Sequence, residues 1–507
     1  MTAPISFGRF AVLFCLLLAL SAGPIFSTAL PPILDYPNHL ARMHILAENG
    51  ASPILDQFYR VEWAALPNLA MDLIVPPLSR VMPLGLAGQL FILLTFAVMA
   101  GGGAALNRAL HGHWSYWSLG TFVVLYNRIL LWGFLNYLFG LGLAFGAAAL
   151  WLASARWPVW RRALLSSIAA ALVYFSHFAA FGVYALMLAG IEAGPGLVLL
   201  RQRAWRALAV RLGVLIPQFL VPAAISLSGW SKSAGGQIAY GSFLRKIDLL
   251  FSVFDSYDRL FEVICFLLFV GLLITLAARR RLGLATVMRW PLLLVILAYL
   301  ALPSQLLSGS GADRRMAIVI FMVILAGSLP RPTTATGARV IAEIMILLFV
   351  ARLAVFEFRW HEADRFYKQD TAWLDLLPRG AKLAVVNPGS AVQVGKDPEL
   401  HLPNLAIIER EAFVQTLFAF PSQQPVALIP PYAALAEATN QPQLWSDLVV
   451  QPARPAPALL QTLKSYDFIV FIDLKPFQVP ENPCLAPAGG GTTLQLFAIE
   501  ASCPQWQ

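Results

Sequence analysis

A carboxylate, an imidazole and a guanidinium stand close together in the run Leu34-Asp35-Tyr36-Pro37-Asn38-His39-Leu40-Ala41-Arg42, which follows the first long apolar stretch. If a helix starts at Tyr36, Pro37 lies in its first turn, where a missing N–H does no harm, and Asp35 takes the N-cap. His39 and Arg42 then follow at i+4 and i+7, and all three fall within about a 60° arc of one face. A carboxylate so placed is a candidate general base or cation ligand, with the imidazole and the guanidinium orienting it. The alternative use is structural: an N-cap carboxylate can do no more than satisfy free backbone N–H groups.

A second polar group, Gly309-Ser310-Gly311-Ala312-Asp313-Arg314-Arg315, separates two apolar stretches. Two guanidiniums at a membrane surface can fork onto phosphate oxygens, and a low-dielectric setting strengthens that pairing. They can also be snorkelling anchors, and the same choice applies to Arg128. Asp255 and Asp258, three apart, would share one side of a helical turn and with Asp35 could hold a hard divalent cation, Mg²⁺ or Mn²⁺; a solvated loop is the other reading. His177 is read as a buried, satisfied histidine, and Asn136 and Tyr137 are assigned to hydrogen bonding between spans. Zinc-ligand spacing, a nucleophile elbow and a nucleotide-cradling glycine loop are absent, against ATP-driven transport and serine hydrolysis. The apolar stretches carry almost no ionisable side chain at mid-depth, against an ion-coupled transporter.

These groups must be positioned by a chain of 507 residues that is 58% hydrophobic and only 12% charged, the composition of a polytopic membrane protein. Hydropathy marks eleven spans: Phe10–Leu30, Leu84–Leu106, Tyr116–Trp132, Phe134–Ala153, Leu164–Phe178, Ala180–Leu200, Leu212–Leu227, Leu260–Ala278, Pro291–Leu307, Met316–Leu329 and Val340–Phe356. The first is read as a retained anchor rather than a cleaved signal peptide. The arginine-rich stretches at 156–162, 201–211, 279–281 and 331–339 then share one side, the cytoplasmic one. Arg128 and Arg314-Arg315 are basic sites on the other face that break this pattern. The net charge of +9 is thus a feature of loops, and no basic tract argues for nucleic acid.

The loop 31–83 should carry two interfacial helices, Pro37–Glu48 and Leu69–Val81, the second with Pro76 and Pro77, which argue against a full span. From Arg359 the composition becomes that of an ordinary folded domain. Strands are expected at Lys382–Asn387, Leu405–Glu409, Val426–Ile429 and Phe468–Asp473, and helices at Asp370–Leu377 and Ala456–Ser465. Gly489-Gly490-Gly491 reads as a turn before a strand at Thr492–Ile499. Cys484 and Cys503, the cysteines outside the spans, can pair if this domain faces an oxidising compartment. The expected fold is therefore mainly α: a transmembrane helical bundle over 1–357 and a C-terminal extracytoplasmic α/β domain over 358–507.

One span, an outer loop with an acidic residue and two interfacial helices, a many-span core and an outer C-terminal domain together resemble the C-type glycosyltransferase superfamily, membrane enzymes that use polyprenyl-phosphate-linked sugars. Asp35-Tyr36-Pro37-Asn38-His39-Leu40-Ala41-Arg42 is similar to the acidic-x-x-x-His-x-x-Arg signature in the first loop of some members. Asp313-Arg314-Arg315 occupies a late outer loop where such enzymes place basic residues that bind phosphate. The resemblance implies sugar transfer from a lipid phosphate to an acceptor at the outer face of a bacterial inner membrane. Asp35, His39 and Arg42 would be catalytic, and Arg314, Arg315, Asp313 and Arg128 would bind the lipid phosphate. Asp35 and Arg314-Arg315 are expected to converge on one cavity. No Asp-Asp or Glu-Asp pair occurs in the loop 31–83, so Asp35 is base or ligand. Two other classes fit the same layout: a transporter or flippase for a lipid-linked glycan, and a non-catalytic membrane assembly protein.

Overall fold

A computed structural model describes residues 4–230, 238–306, 309–331, 333–387, 399–420, 423–439, 448–449, 461–473 and 484–500. The chain is mostly helical with a small amount of sheet, and it divides into two compact units. The first comprises residues 1–25, 65–71 and 90–357; the second comprises residues 26–64, 72–89 and 358–507. The second unit therefore joins most of the loop 31–83 to the C-terminal stretch.

Among the described residues of the first unit and its margins, four helices are long and apolar enough to cross a membrane: Leu84–His111, Leu135–Ala153, Phe178–Arg201 and Arg259–Ala278. A fifth is obtained if Trp205–Leu215 and Pro217–Leu227, bent by 50° at their junction, count as one span. The expected span Tyr116–Trp132 is broken: a 3-10 helix, Tyr116–Val124, is followed by a short helix, Arg128–Trp132. Asn127 causes the break, donating to the carbonyls of Val124 and Leu125 while its Oδ1 accepts from Leu130 N–H at 3.0 Å. The other expected spans are shorter or bent helices, such as Phe7–Ser21, Arg289–Ala301 and Arg314–Gly327, or part of the long helix Ala335–Asp370.

Close approach of helices in this unit depends on missing side chains. A Cβ on Gly102 would lie 2.1 Å from the Gly142 carbonyl oxygen, and one on Gly190 would lie 2.3 Å from Pro291 N. Small residues at such crossings let backbones touch, which suits helices that gain little from hydrophobic burial in lipid. A buried ion pair ties further elements together. Arg352 Nε donates to Glu262 Oε2 at 2.8 Å, and the rest of its fork is satisfied by the carbonyls of Val123, Tyr126 and Phe254.

The second unit contains the helix Tyr36–Glu48, with Pro37 in its first turn as expected, and a mixed five-stranded sheet. Its strands, with the two of a separate ribbon, are β1 (Tyr59–Val61), β2 (Lys382–Val386), β3 (Phe413–Val414), β4 (Val426–Leu428), β5 (Phe468–Ile472), β6 (Leu485–Gly490) and β7 (Leu494–Ile499). The sheet order is β6-β7-β5-β2-β3, with β2 parallel to both its neighbours and β7 antiparallel to both of its own. The ribbon pairs β1 from the first loop with β4 from the C-terminal stretch, antiparallel, Tyr59 opposite Leu428. Tyr59 adds to this link: its hydroxyl donates to the Ala412 carbonyl at 3.1 Å and accepts from Val414 N–H at 3.0 Å.

Leu405–Glu409, expected as a strand, is instead the helix Leu405–Arg410. A run of Leu-Ala-Ile-Ile has no period of its own over so short a length, and here it packs against Tyr36–Glu48, a surface that rewards a helical face. Asp370–Leu377 is the end of one helix followed by a 3-10 turn, Ala372–Leu376. The first five residues of the expected helix Ala456–Ser465 lie outside the described residues, as does Cys503. Cys484 is buried at the edge of β6 and disulfide-bonded.

Candidate functional site

Two polar clusters contain the predicted residues, one in each unit. In the second unit, Asp35 precedes the helix Tyr36–Glu48, but its side chain caps nothing. The carboxylate faces His401 instead, with Asp35 Oδ1 3.4 Å from His401 Nε2. Both side chains keep a little exposure, 15% and 12%, enough to meet a ligand. His401 comes from the 3-10 turn leading into Leu402–Asn404, hundreds of residues away in sequence, and nothing in its neighbours marked it as a site residue. Asn38 lies beneath the pair, fully buried, with its amide held by two backbone groups of the C-terminal stretch.

His39 and Arg42 do share a face, as predicted: Arg42 Nη1 lies 3.4 Å from His39 Nδ1. Arg42 is nevertheless wholly buried. Its Nε and Nη2 fork onto the two oxygens of Asp72 at 2.8 and 3.1 Å, and both side chains are 0% exposed. The second loop helix, Ala70–Ser79, was expected as an interfacial helix, and its Asp72 is the counter-ion of Arg42. This bidentate pair fixes the helix that carries Asp35 and His39.

In the first unit, Asp313 caps the helix Arg314–Gly327, accepting from Arg314 N–H at 2.9 Å, and also accepts from Lys246 Nζ at 3.2 Å. Lys246 additionally donates to the carbonyls of Tyr299 and Leu302. Asp313 thus positions the turn that presents the two arginines. Arg314 lies over the Trp132 ring and Arg315 over the Phe134 ring, each 4.2 Å from the centroid. Tyr137 donates to the Arg315 carbonyl at 2.6 Å, fixing the same turn from the helix Leu135–Ala153. Burial first, then the charges of Arg245 and Arg128, pull the Arg314 guanidinium down to about 10, so it stays charged at neutral pH while sitting in a strongly positive neighbourhood. Arg314 Nε has no hydrogen-bond partner among the described residues. Half-buried cations crowded in this way raise the local positive potential, which attracts anions.

Arg128 is ion-paired with Asp255, whose carboxyl burial holds above its ordinary value in spite of the opposing Arg128 charge. Asp258 caps the helix Arg259–Ala278, accepting from Phe261 N–H at 3.0 Å. Asp255 and Asp258 are thus engaged with Arg128 and with a helix N-terminus, and among the described residues no three His, Cys, Asp or Glu side chains form a group that could hold a metal ion. His177 Nδ1 accepts from Ala179 N–H, a satisfied histidine as expected, whereas Asn136 bonds Met71 N–H and the Asn68 carbonyl of the loop 31–83 and not another span.

No protein-family model and no curated protein sequence matches the chain. Solved structures do. The arabinofuranosyltransferase AftD from mycobacteria superposes with a TM-score of 0.54 at 16% identity, over 98% of this chain and 40% of that one. ArnT from Cupriavidus metallidurans bound to undecaprenyl phosphate superposes with a TM-score of 0.53 at 12% identity, over 97% of this chain and 98% of its own. Its apo state gives the same score, over 98% and 99%. The chain spans less than half the length of AftD and nearly the whole of ArnT. The chain thus shares its overall fold with these two membrane glycosyltransferase structures.

Proposed function

We propose that this protein is an integral membrane glycosyltransferase that moves a sugar from a polyprenyl phosphate to an acceptor hydroxyl, with Asp35 as general base. The observation that carries the reading is Asp35 itself. A carboxylate at a helix N-cap normally bonds the first N–H groups, and this one leaves them to face His401. In the transfer, the acceptor oxygen bonds to the anomeric carbon and the bond from that carbon to the phosphate oxygen breaks. The electron pair leaves on the lipid phosphate, and the hydroxyl proton passes to Asp35. Arg314 and Arg315 stabilise the phosphate as its charge develops, stacked on Trp132 and Phe134 so that their planes are fixed in advance. Arg128, paired with Asp255, adds to the positive field. His39 and Arg42, the latter held by Asp72, keep the helix face beside Asp35 in place. The full reading includes eleven spans and an extracytoplasmic C-terminal domain at a bacterial inner membrane. The Lys/Arg asymmetry of the loops supports this arrangement.

The experiment is an assay of membranes with radiolabelled polyprenyl-phosphate sugars. Asp35→Asn should lower turnover by about 10²- to 10⁴-fold and leave lipid binding nearly intact, whereas Arg315→Ala should weaken lipid-phosphate binding first. An Asp35→Asn protein that keeps its function would instead point to a carrier for a lipid-linked glycan. Chelation with EDTA separates the two roles open to Asp35, since a base is insensitive to it and a Mg²⁺ or Mn²⁺ ligand is not.

A further inference from the structure

His401 reaches Asp35 through groups whose donor and acceptor roles are settled by backbone, all within the second unit. Asn38 Oδ1 accepts from Phe418 N–H at 2.8 Å, and Asn38 Nδ2 donates to the Thr416 carbonyl at 2.8 Å. Exchanging the amide oxygen and nitrogen would set donor against donor and acceptor against acceptor, so the orientation of the amide is fixed. The second Nδ2 proton has His401 Nδ1 as its partner at 3.5 Å. Nδ1 is then the acceptor nitrogen, and the neutral imidazole carries its proton on Nε2, the nitrogen 3.4 Å from Asp35 Oδ1. Phe418, whose own N–H orients Asn38, meets the His401 ring edge-on with centroids 5.0 Å apart and restrains its plane.

We propose, resting on the reading of Asp35 as the base, that Asn38 locks His401 in its Nε2–H tautomer. His401 is then a positioning residue for Asp35 and not the group that takes the acceptor's proton. The other tautomer would place N–H against N–H at Asn38 and a lone pair against the carboxylate at Asp35. A doubly protonated ring would keep the first of these clashes. With Nε2–H facing Oδ1 at 3.4 Å, the imidazole favours one orientation of the carboxylate, and the incoming proton goes to Oδ2. During transfer His401 keeps its own proton throughout, and the proton lost by the acceptor ends on Asp35.

The test uses the full chain in lipid nanodiscs with ¹⁵N-labelled histidine, the His401→Gln protein identifying the His401 signals by their loss. The expected spectrum has an unprotonated Nδ1 and a protonated Nε2; a protonated Nδ1, or exchange between tautomers, overturns the lock. In the sugar-transfer assay, His401→Ala should lower kcat by about 10- to 100-fold, the range met when a group that orients a reacting residue is removed. His401→Gln, whose amide N–H can reach the same carboxylate, should recover most of the loss. Wild-type kcat in His401→Ala, or a Gln variant no better than Ala, overturns the positioning role. The nitrogen signature needs no turnover, so the two readings fail separately. If Asp35 is not the base, Asp35→Asn stays active while the signature is as expected; if the lock is wrong, the signature differs whatever Asp35 does.

Discussion

In the proposed transfer, Arg314 and Asp35 are the residues whose burial and charge matter most. Arg314 is kept charged although half-buried, among Arg128 and Arg245, with its plane over Trp132. Lysine retains the charge but loses both the planar fork and the stacking. Arg314→Lys should therefore bind polyprenyl phosphate about tenfold more weakly in a fluorescence titration, with Asp35 chemistry unchanged once lipid is saturating. Wild-type affinity in that variant would reduce the residue to a point charge. His401 shows how little the sequence says at this scale. The spacing of Asp35, His39 and Arg42 was legible because one helix period links them. No period links Asp35 to a histidine in a turn of the C-terminal stretch, and only the packing of Tyr36–Glu48 against Leu405–Arg410 brings that turn to it.

At the scale of elements, the helix Tyr36–Glu48 is held by the buried pair of Arg42 and Asp72. Removing one member of such a pair leaves an uncompensated charge, at a cost of about 3–5 kcal/mol, whereas replacing both by apolar groups is often neutral. Asp72→Asn should lower the thermal midpoint of the purified protein sharply, and Arg42→Met with Asp72→Leu should recover much of the loss. Equal destabilisation by the single and double variants would show that the pair does not behave as one unit. Glu262→Gln should act in the same way on Arg352, which carries the equivalent buried fork in the first unit. The helices themselves were visible in the sequence because caps, prolines and apolar periods are local signals. The error at Leu405–Glu409 arose where the apolar run is too short to show a period and its neighbour decides.

For the whole molecule, topology and redox compartment can be measured together. Fusions of a reporter active only outside the cytoplasm, placed after Arg203, Arg281 and Trp360, should be active only at the last; activity after Arg203 would overturn the arrangement. If the C-terminal stretch faces an oxidising compartment, Cys484 should be found paired with Cys503 by non-reducing mass mapping. In the chain-entropy model, closing that loop contributes about 3 kcal/mol. Both thiols free in protein from the native compartment would remove the pairing.

The sequence by itself determined that this is a mostly helical membrane protein, that residues near Asp35 begin a helix and that Arg314 and Arg315 follow a tight polar loop. Each of these is a matter of composition or of spacing within a few turns, which local physics settles. Tertiary structure alone decided which side chains meet. Asp72 neutralises Arg42, Lys246 holds Asp313, Trp132 and Phe134 carry the two arginines, and His401 faces Asp35. It also decided that β1 of the first loop pairs with β4 of the C-terminal stretch. Partners so distant in sequence leave no periodic trace, because they are selected by the burial of whole surfaces and by the requirement that every buried charge and backbone group find a counterpart.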